Sequence, residues 1–125
     1  MNTEDRLPII VGVGQVVNHW DGTDANQSPS PISLIAESIK RAQADAGVDD
    51  LVDKIDSLAV VRAFTDSLRK PFDPFGKASN FPAAVIEAAA INPRKTIYST
   101  AGGEQPQSLV NELSEDIARG DTRLA

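Results

Sequence analysis

A chain of 125 residues has the length of one ordinary domain, and its 41% hydrophobic content suffices for a core that must be aliphatic, because aromatic residues make up only 5%. The net charge of −6 argues against nucleic acid, which wants a basic footprint, and against an anionic membrane surface. With no cysteine, the chain has no disulfide, no thiolate nucleophile and no zinc-finger ligand set.

Met1–Leu7 is charged and polar, and the apolar run Ile9–Val13 is too short for the core of a secretory signal. No stretch reaches transmembrane length. The expectation is a soluble, cytoplasmic protein with no membrane and no nucleic-acid partner.

In chain order, Pro8–Gly14 (PIIVGVG) reads as a short buried strand. Asn18–Pro31, rich in Asn, Asp, Gly, Ser and Pro, reads as a loop. Ser30 is placed as an N-cap with Pro31 at the first helical position. Ile32, Ile35, Ile39, Ala42 and Ala46 then share one helix face, and Gly47 is placed to end it. A short acidic helix is expected over Asp50–Lys54, and a second buried strand over Ser57–Ala63. Phe64–Ser79 is a long loop containing Lys70-Pro71-Phe72-Asp73-Pro74-Phe75-Gly76, of a length that often accompanies function. Asn80-Phe81-Pro82 opens a helix through about Ile91, closed by Asn92-Pro93. Arg94–Thr100 is a third strand. The last helix carries Leu109, Val110, Leu113 and Ile117 on one face and is expected to start at Pro106, with Gly120 after it. Asp121–Ala125 reads as a turn and the first residues of a fourth strand.

Strands alternating with helices imply an α/β fold, with a mostly parallel sheet and helices on both faces. Three strands and the start of a fourth leave an unpaired edge. The chain is therefore expected to be a fragment, or half of an assembled domain.

Several residue groups invite chemistry. Gly12-Val13-Gly14 follows a strand, but a dinucleotide fingerprint needs a third Gly at a helix start, and position 17 is Val. It reads as a tight strand exit. His19, the single histidine, has no neighbouring ligand type and reads as a solvated loop residue. Asp45, Asp49, Asp50, Asp53 and Asp56 lack calcium-loop spacing and read as a solvated face with some N-capping. No metal site is expected.

The corner Ala101-Gly102-Gly103-Glu104-Gln105 lies between a strand and a helix. Such a corner can present backbone N–H groups to an anion. Three readings are open: an oxyanion or anion site at Gly102-Gly103, a nucleophile corner that has lost its side chain, and a close-packed turn in which Glu104 caps its own helix. The residues alone favour the last.

Four stretches, in order, resemble the N-terminal part of the thiolase superfamily, the acetyl-CoA acetyltransferase group: PIIVGVGQ (8–15), LIAESIKRAQADAG (34–47), VDKIDSLAVV (52–61) and GGEQPQSLVNELSEDIARG (102–120). The last also resembles a thiolase-like branch whose nucleophile segment reads G-G-x-x-P-Q. The resemblance runs from about Pro8 to Ala125. It implies a fold of two repeated halves, each a five-stranded, mostly parallel sheet covered by helices, with residues 1–125 an incomplete first half-domain of a longer protein. In the family a Cys opens the helix that ends in an Ile-x-x-Gly pattern. Counted back from Ile117 and Gly120, that Cys falls at Gly103. Glu104-Gln105-Pro106 stands where the family has small residues. The family's catalytic His and second Cys belong to its other half, and His19 does not match them.

The resemblance thus implies an acyltransferase homologue acting on CoA thioesters as a full-length protein, with no covalently bound cofactor. This chain would be inactive alone, with no catalytic residue of its own except Glu104 as a candidate. Covalent acyl transfer needs an activated nucleophile, and none stands at the corner. The alternatives are a non-catalytic acyl-CoA or lipid-binding protein of the same fold, and a structural half-domain that binds a partner through its sheet edge. The resemblance also implies a homodimer through the Arg94–Thr100 strand.

Overall fold

The computed structural model describes residues 3–68 and 75–125. The two-proline stretch Lys70–Pro74 lies outside the described residues.

Helix α1 (Pro31–Ala46) starts where the Ser33 N–H donates to Ser30 Oγ at 3.1 Å, and Pro31 sits where its missing N–H costs nothing. It stops at Gly47, whose φ of 65° is open to glycine without penalty. Helix α2 (Phe81–Ala89) is capped in the same way by Asn80 Oδ1 on the Ala83 N–H, 3.1 Å. It ends at Ala90 with φ 54°, a left-handed conformation that strains a residue carrying a Cβ. The expected acidic helix is a single tight turn, Val52–Lys54, and another such turn covers Phe64–Ser67.

Strands β1 (Ser57–Val60) and β2 (Lys95–Tyr98) pair in parallel, in register from Ser57 opposite Lys95 to Val60 opposite Tyr98. Side chains alternate across a strand, so Leu58, Val60 and Tyr98 share one face. On it Val60 packs with Phe81 and Val85 of α2, and Ile32, Ile35 and Ile39 of α1 close over them. Ser57 and Lys95 point the other way, toward helix α3 (Gln105–Arg119) and the residues after it. There Ser57 Oγ meets Thr122 Oγ1 at 2.6 Å. Lys95 Nζ donates to Asp116 Oδ2 at 2.5 Å, and Arg119 binds the second oxygen of the same carboxylate. Asp116 is buried, so these two cations supply what water would otherwise give it. The Lys95 hydrogen bond leads in holding the Asp116 carboxyl below its ordinary value. Helices thus lie on both faces of a parallel sheet, as the alternation of elements requires.

The sheet of the described residues has two strands rather than three. Pro8–Gly14 has no regular secondary structure and joins no strand, and Ile9 and Ile10 are 74% and 81% exposed. The segment is fastened to α1. The Val13 N–H donates to Asp45 Oδ2 at 2.9 Å, and Arg41 Nη1 donates to the Gln15 carbonyl at 2.9 Å. Gly12 and Gly14 let the backbone come this close, since a Cβ on Gly14 would stand 2.7 Å from Ala42 N. A β-branched run has the same appearance whether it pairs with a strand or lies along a helix, and here contact with the helix prevails. Between it and β1 an apolar groove of about 190 Å³ remains, lined by Val11, Leu58, Ile91, Leu113 and Leu124 among others. Leu124 begins to line β1: its carbonyl accepts from the Asp56 and Ser57 N–H groups at 3.0 and 3.2 Å, although no fourth strand forms.

The acidic residues also differ from the sequence expectation. Asp45 holds the Val13 backbone. Asp56 pairs with Arg94 at 3.3 Å and accepts from the Arg123 and Leu124 N–H groups. Both therefore tie distant segments together rather than facing water.

Candidate functional site

The Gly-Gly corner follows β2 directly, at the carboxyl end of a parallel strand, where open α/β sheets hold their ligands. The strand ends beneath it are tied together. Buried Ser99 accepts the Arg62 N–H through Oγ at 3.1 Å and donates to the Thr100 carbonyl at 2.7 Å. Tyr98 donates its hydroxyl to Asp66 Oδ2 at 2.6 Å and accepts the Ala63 N–H at 3.1 Å. Its ring stacks on Phe81, centroids 5.9 Å apart, and the Arg62 guanidinium carbon lies 5.2 Å from the ring centroid. Burial first, then the Asp66 hydrogen bond, pushes the Tyr98 phenol above its ordinary value. Tyr98 thus fastens the segment that leaves β1. Asp66 is 32 residues away in the chain, so nothing in the sequence marked the two as neighbours.

At the corner itself, the Gln105 N–H donates to the Gly102 carbonyl at 3.2 Å, and the Ser108 N–H to the Glu104 carbonyl at 3.1 Å. Helix α3 therefore starts at Gln105, one residue before the expected Pro106. Glu104 occupies the cap position with helical φ and ψ of −80° and −15°, and its side chain makes no capping hydrogen bond. The expected carboxylate cap does not form. An N-cap side chain reaches the helix from extended backbone, which Glu104 lacks, and Pro106 removes one of the N–H groups it would seek. The carboxylate folds back over Gly102 instead, where a Cβ would meet Glu104 Oε2 at 2.6 Å. The Glu104 N–H, then the Gln105 side-chain amide at 3.1 Å, hold this exposed carboxyl below its ordinary value. It is an ionised acceptor at neutral pH.

Gly103 differs from its neighbour. Its φ lies outside the left-handed region, and a Cβ built on it meets no heavy atom within 4 Å. The backbone there would accept a Cβ without a clash, and the space in front of it is open. His19 is not brought to this corner. It lies beside Trp20, Phe75, Pro29 and Leu34 at the rim of a separate hollow. Among the described residues no group of three or more His, Cys, Asp or Glu side chains is placed to hold a metal ion.

No protein-family model matches the sequence, and no curated protein matches it significantly. Among solved structures, the chain is similar to a monomeric SCP2-thiolase-like protein type 1 from Mycobacterium smegmatis, with 28% identity and a TM-score of 0.71 over 94% of this chain. An α/β chain with a glycine corner between strand and helix thus has a thiolase-like fold. It spans 21% of the length of that relative.

Proposed function

We propose that this chain is the N-terminal piece of a thiolase-like acyltransferase homologue that handles CoA thioesters, and that it does not itself form an acyl-enzyme. The observation that carries the reading is the corner at Gly102-Gly103: a thiolase-like fold with an unobstructed Cβ direction at Gly103 and no nucleophile there. In acyl transfer through an enzyme nucleophile, the thioester C–S bond breaks, an acyl–enzyme bond forms and CoA leaves as the thiol. The corner could offer backbone N–H groups to the carbonyl oxygen of such a thioester, with Glu104 beside them as an ionised carboxylate. The nucleophile or base would have to come from elsewhere in a longer protein. The test is intact mass after incubation with acetyl-CoA. The expected result is an unmodified chain, and a stable acetyl adduct on residues 101–105 would overturn the reading.

A second reading, a non-catalytic acyl-CoA or lipid-binding protein of the same fold, is favoured by the absence of any Cys from the chain. Calorimetric titration with acyl-CoA separates the two: binding by a longer protein that shows no turnover would favour the second. The cytoplasm is the proposed location. We further propose association as a dimer through Arg94–Thr100. In support, β2 pairs with β1 on one edge and with no strand on the other among the described residues. Light scattering of a clean monomer at high concentration would refute it.

A further inference from the structure

Roughly 20 Å from the glycine corner, the length of the 15-residue α3, a second feature stands at the opposite end of that helix. Arg6, Arg119 and Arg123 line one open cavity of about 380 Å³, together with Asp5, Ile117, Gly120 and Thr122. In a chain of net charge −6, the lining of this hollow sets three guanidinium groups against one carboxylate, that of Asp5.

Their carboxylate partners are unequally shared. Arg119 is engaged by Asp116, Asp121 and Glu115. Among the described residues Arg6 is in no ion pair: its Nη1 donates to the Arg119 carbonyl at 2.9 Å, and its Nε is buried without a hydrogen-bond partner. Arg123 is exposed, and among the described residues its guanidinium pairs with no carboxylate, while its backbone N–H is held by Asp56. Gly120 makes the approach possible, since a Cβ there would press on Arg6 Nη1 at 3.1 Å. Two cations with no ion-pair partner among the described residues are thus brought to one rim from opposite ends of the sequence. The fold holds Arg6 on the helix end and Arg123 through Asp56.

We propose that this cavity is an anion site for a phosphate group, with Arg6 and Arg123 as its ligands and Arg119 as the residue that seats Arg6. Guanidinium presents paired N–H donors that match two oxygens of a phosphate, and a dianion repays two unneutralised cations better than a carboxylate does. The site is independent of the glycine corner, and its ligand need not be a CoA thioester.

The test is a titration of the 15N-labelled chain with inorganic phosphate, followed by the amides of Arg6, Gly120, Thr122 and Arg123. The expected result is saturable shifts confined to these residues. Arg123→Gln, an exposed position, should weaken the midpoint about tenfold or more, the loss of a charged hydrogen bond. Arg6→Gln should do the same, provided that its spectrum remains folded. Acetate at equal ionic strength should produce little shift. Glycerol 3-phosphate binding as tightly as phosphate would point to a phosphomonoester ligand, and weaker binding would point to the free ion. The absence of saturation, an equal response to acetate, or an Arg123→Gln midpoint that matches the wild type would each overturn the proposal.

Discussion

Replacement of Gly14 by Ala tests why the segment 8–15 lies where it does. A Cβ at this position would stand 2.7 Å from Ala42 N and closer still to the Ser38 carbonyl. Ordinary contact begins near 3.4 Å, so the nearer obstacle, the Ser38 carbonyl oxygen at 2.0 Å, asks the segment to retreat by about 1.4 Å, and both obstacles are helix backbone that cannot turn aside. Two hydrogen bonds depend on the approach, Val13 N–H to Asp45 and Arg41 to the Gln15 carbonyl, each 2.9 Å long. Each involves a charged group, worth roughly 1.5–3 kcal/mol when protected, and both are solvent-exposed, so the combined loss should be about 1–3 kcal/mol. Urea unfolding should show that loss, and amide exchange at Val13 should accelerate in the folded state. No nicotinamide dinucleotide should bind to either protein, because the two glycines serve a helix contact and not a phosphate. The reasoning fails if Gly14→Ala unfolds within about 0.5 kcal/mol of the wild type while Val13 stays protected.

Other expectations follow from single contacts. Gly103→Cys should fold with an unchanged melting temperature, because the added Cβ meets nothing within 4 Å, and thiol titration should find the sulfur fully reactive. Asp116→Asn should change the pH profile of stability. The Asp116 carboxyl is depressed by Lys95, so its contribution is present above the ordinary carboxylate range and is lost as pH falls through the folded value. Lys95 is raised chiefly by Asp116, so its contribution is present below the ordinary amine range and lost as pH rises. Melting temperatures between about pH 5 and pH 2 should fall more steeply for the wild type than for the variant, and parallel curves would count against the pair. Ala90→Gly should stabilise by about 0.5–1 kcal/mol, since it relieves a left-handed φ of 54° and returns part of the gain as chain entropy. Glu104→Ala should leave the melting temperature unchanged, as its side chain makes no capping bond, and a clear drop would restore the cap.

Local signals in the sequence were enough for much of this fold. Ser30-Pro31, Asn80-Phe81-Pro82, Gly47 and Gly120 mark helix ends through interactions within a few residues, so the order of three residues already contains the geometry. The spacing of Ile32, Ile35 and Ile39 identified the buried face of α1. The order of strand, glycine corner and helix could likewise be read along the chain, whereas the open space at Gly103 could not. What a residue meets across the molecule could not be read. Pro8–Gly14 carries the composition of a buried strand, yet whether it finds a strand or a helix depends on what lies beside it. Tyr98 and Asp66, Asp116 and Lys95, and Arg6 and Arg119 are partners only because two strands pair in parallel and three helices cover them. Glu104 shows the limit at the shortest range. Its type suited a cap, but a cap needs extended φ and ψ before the helix, and the turn set by Gly102 and Pro106 gives this residue helical angles instead.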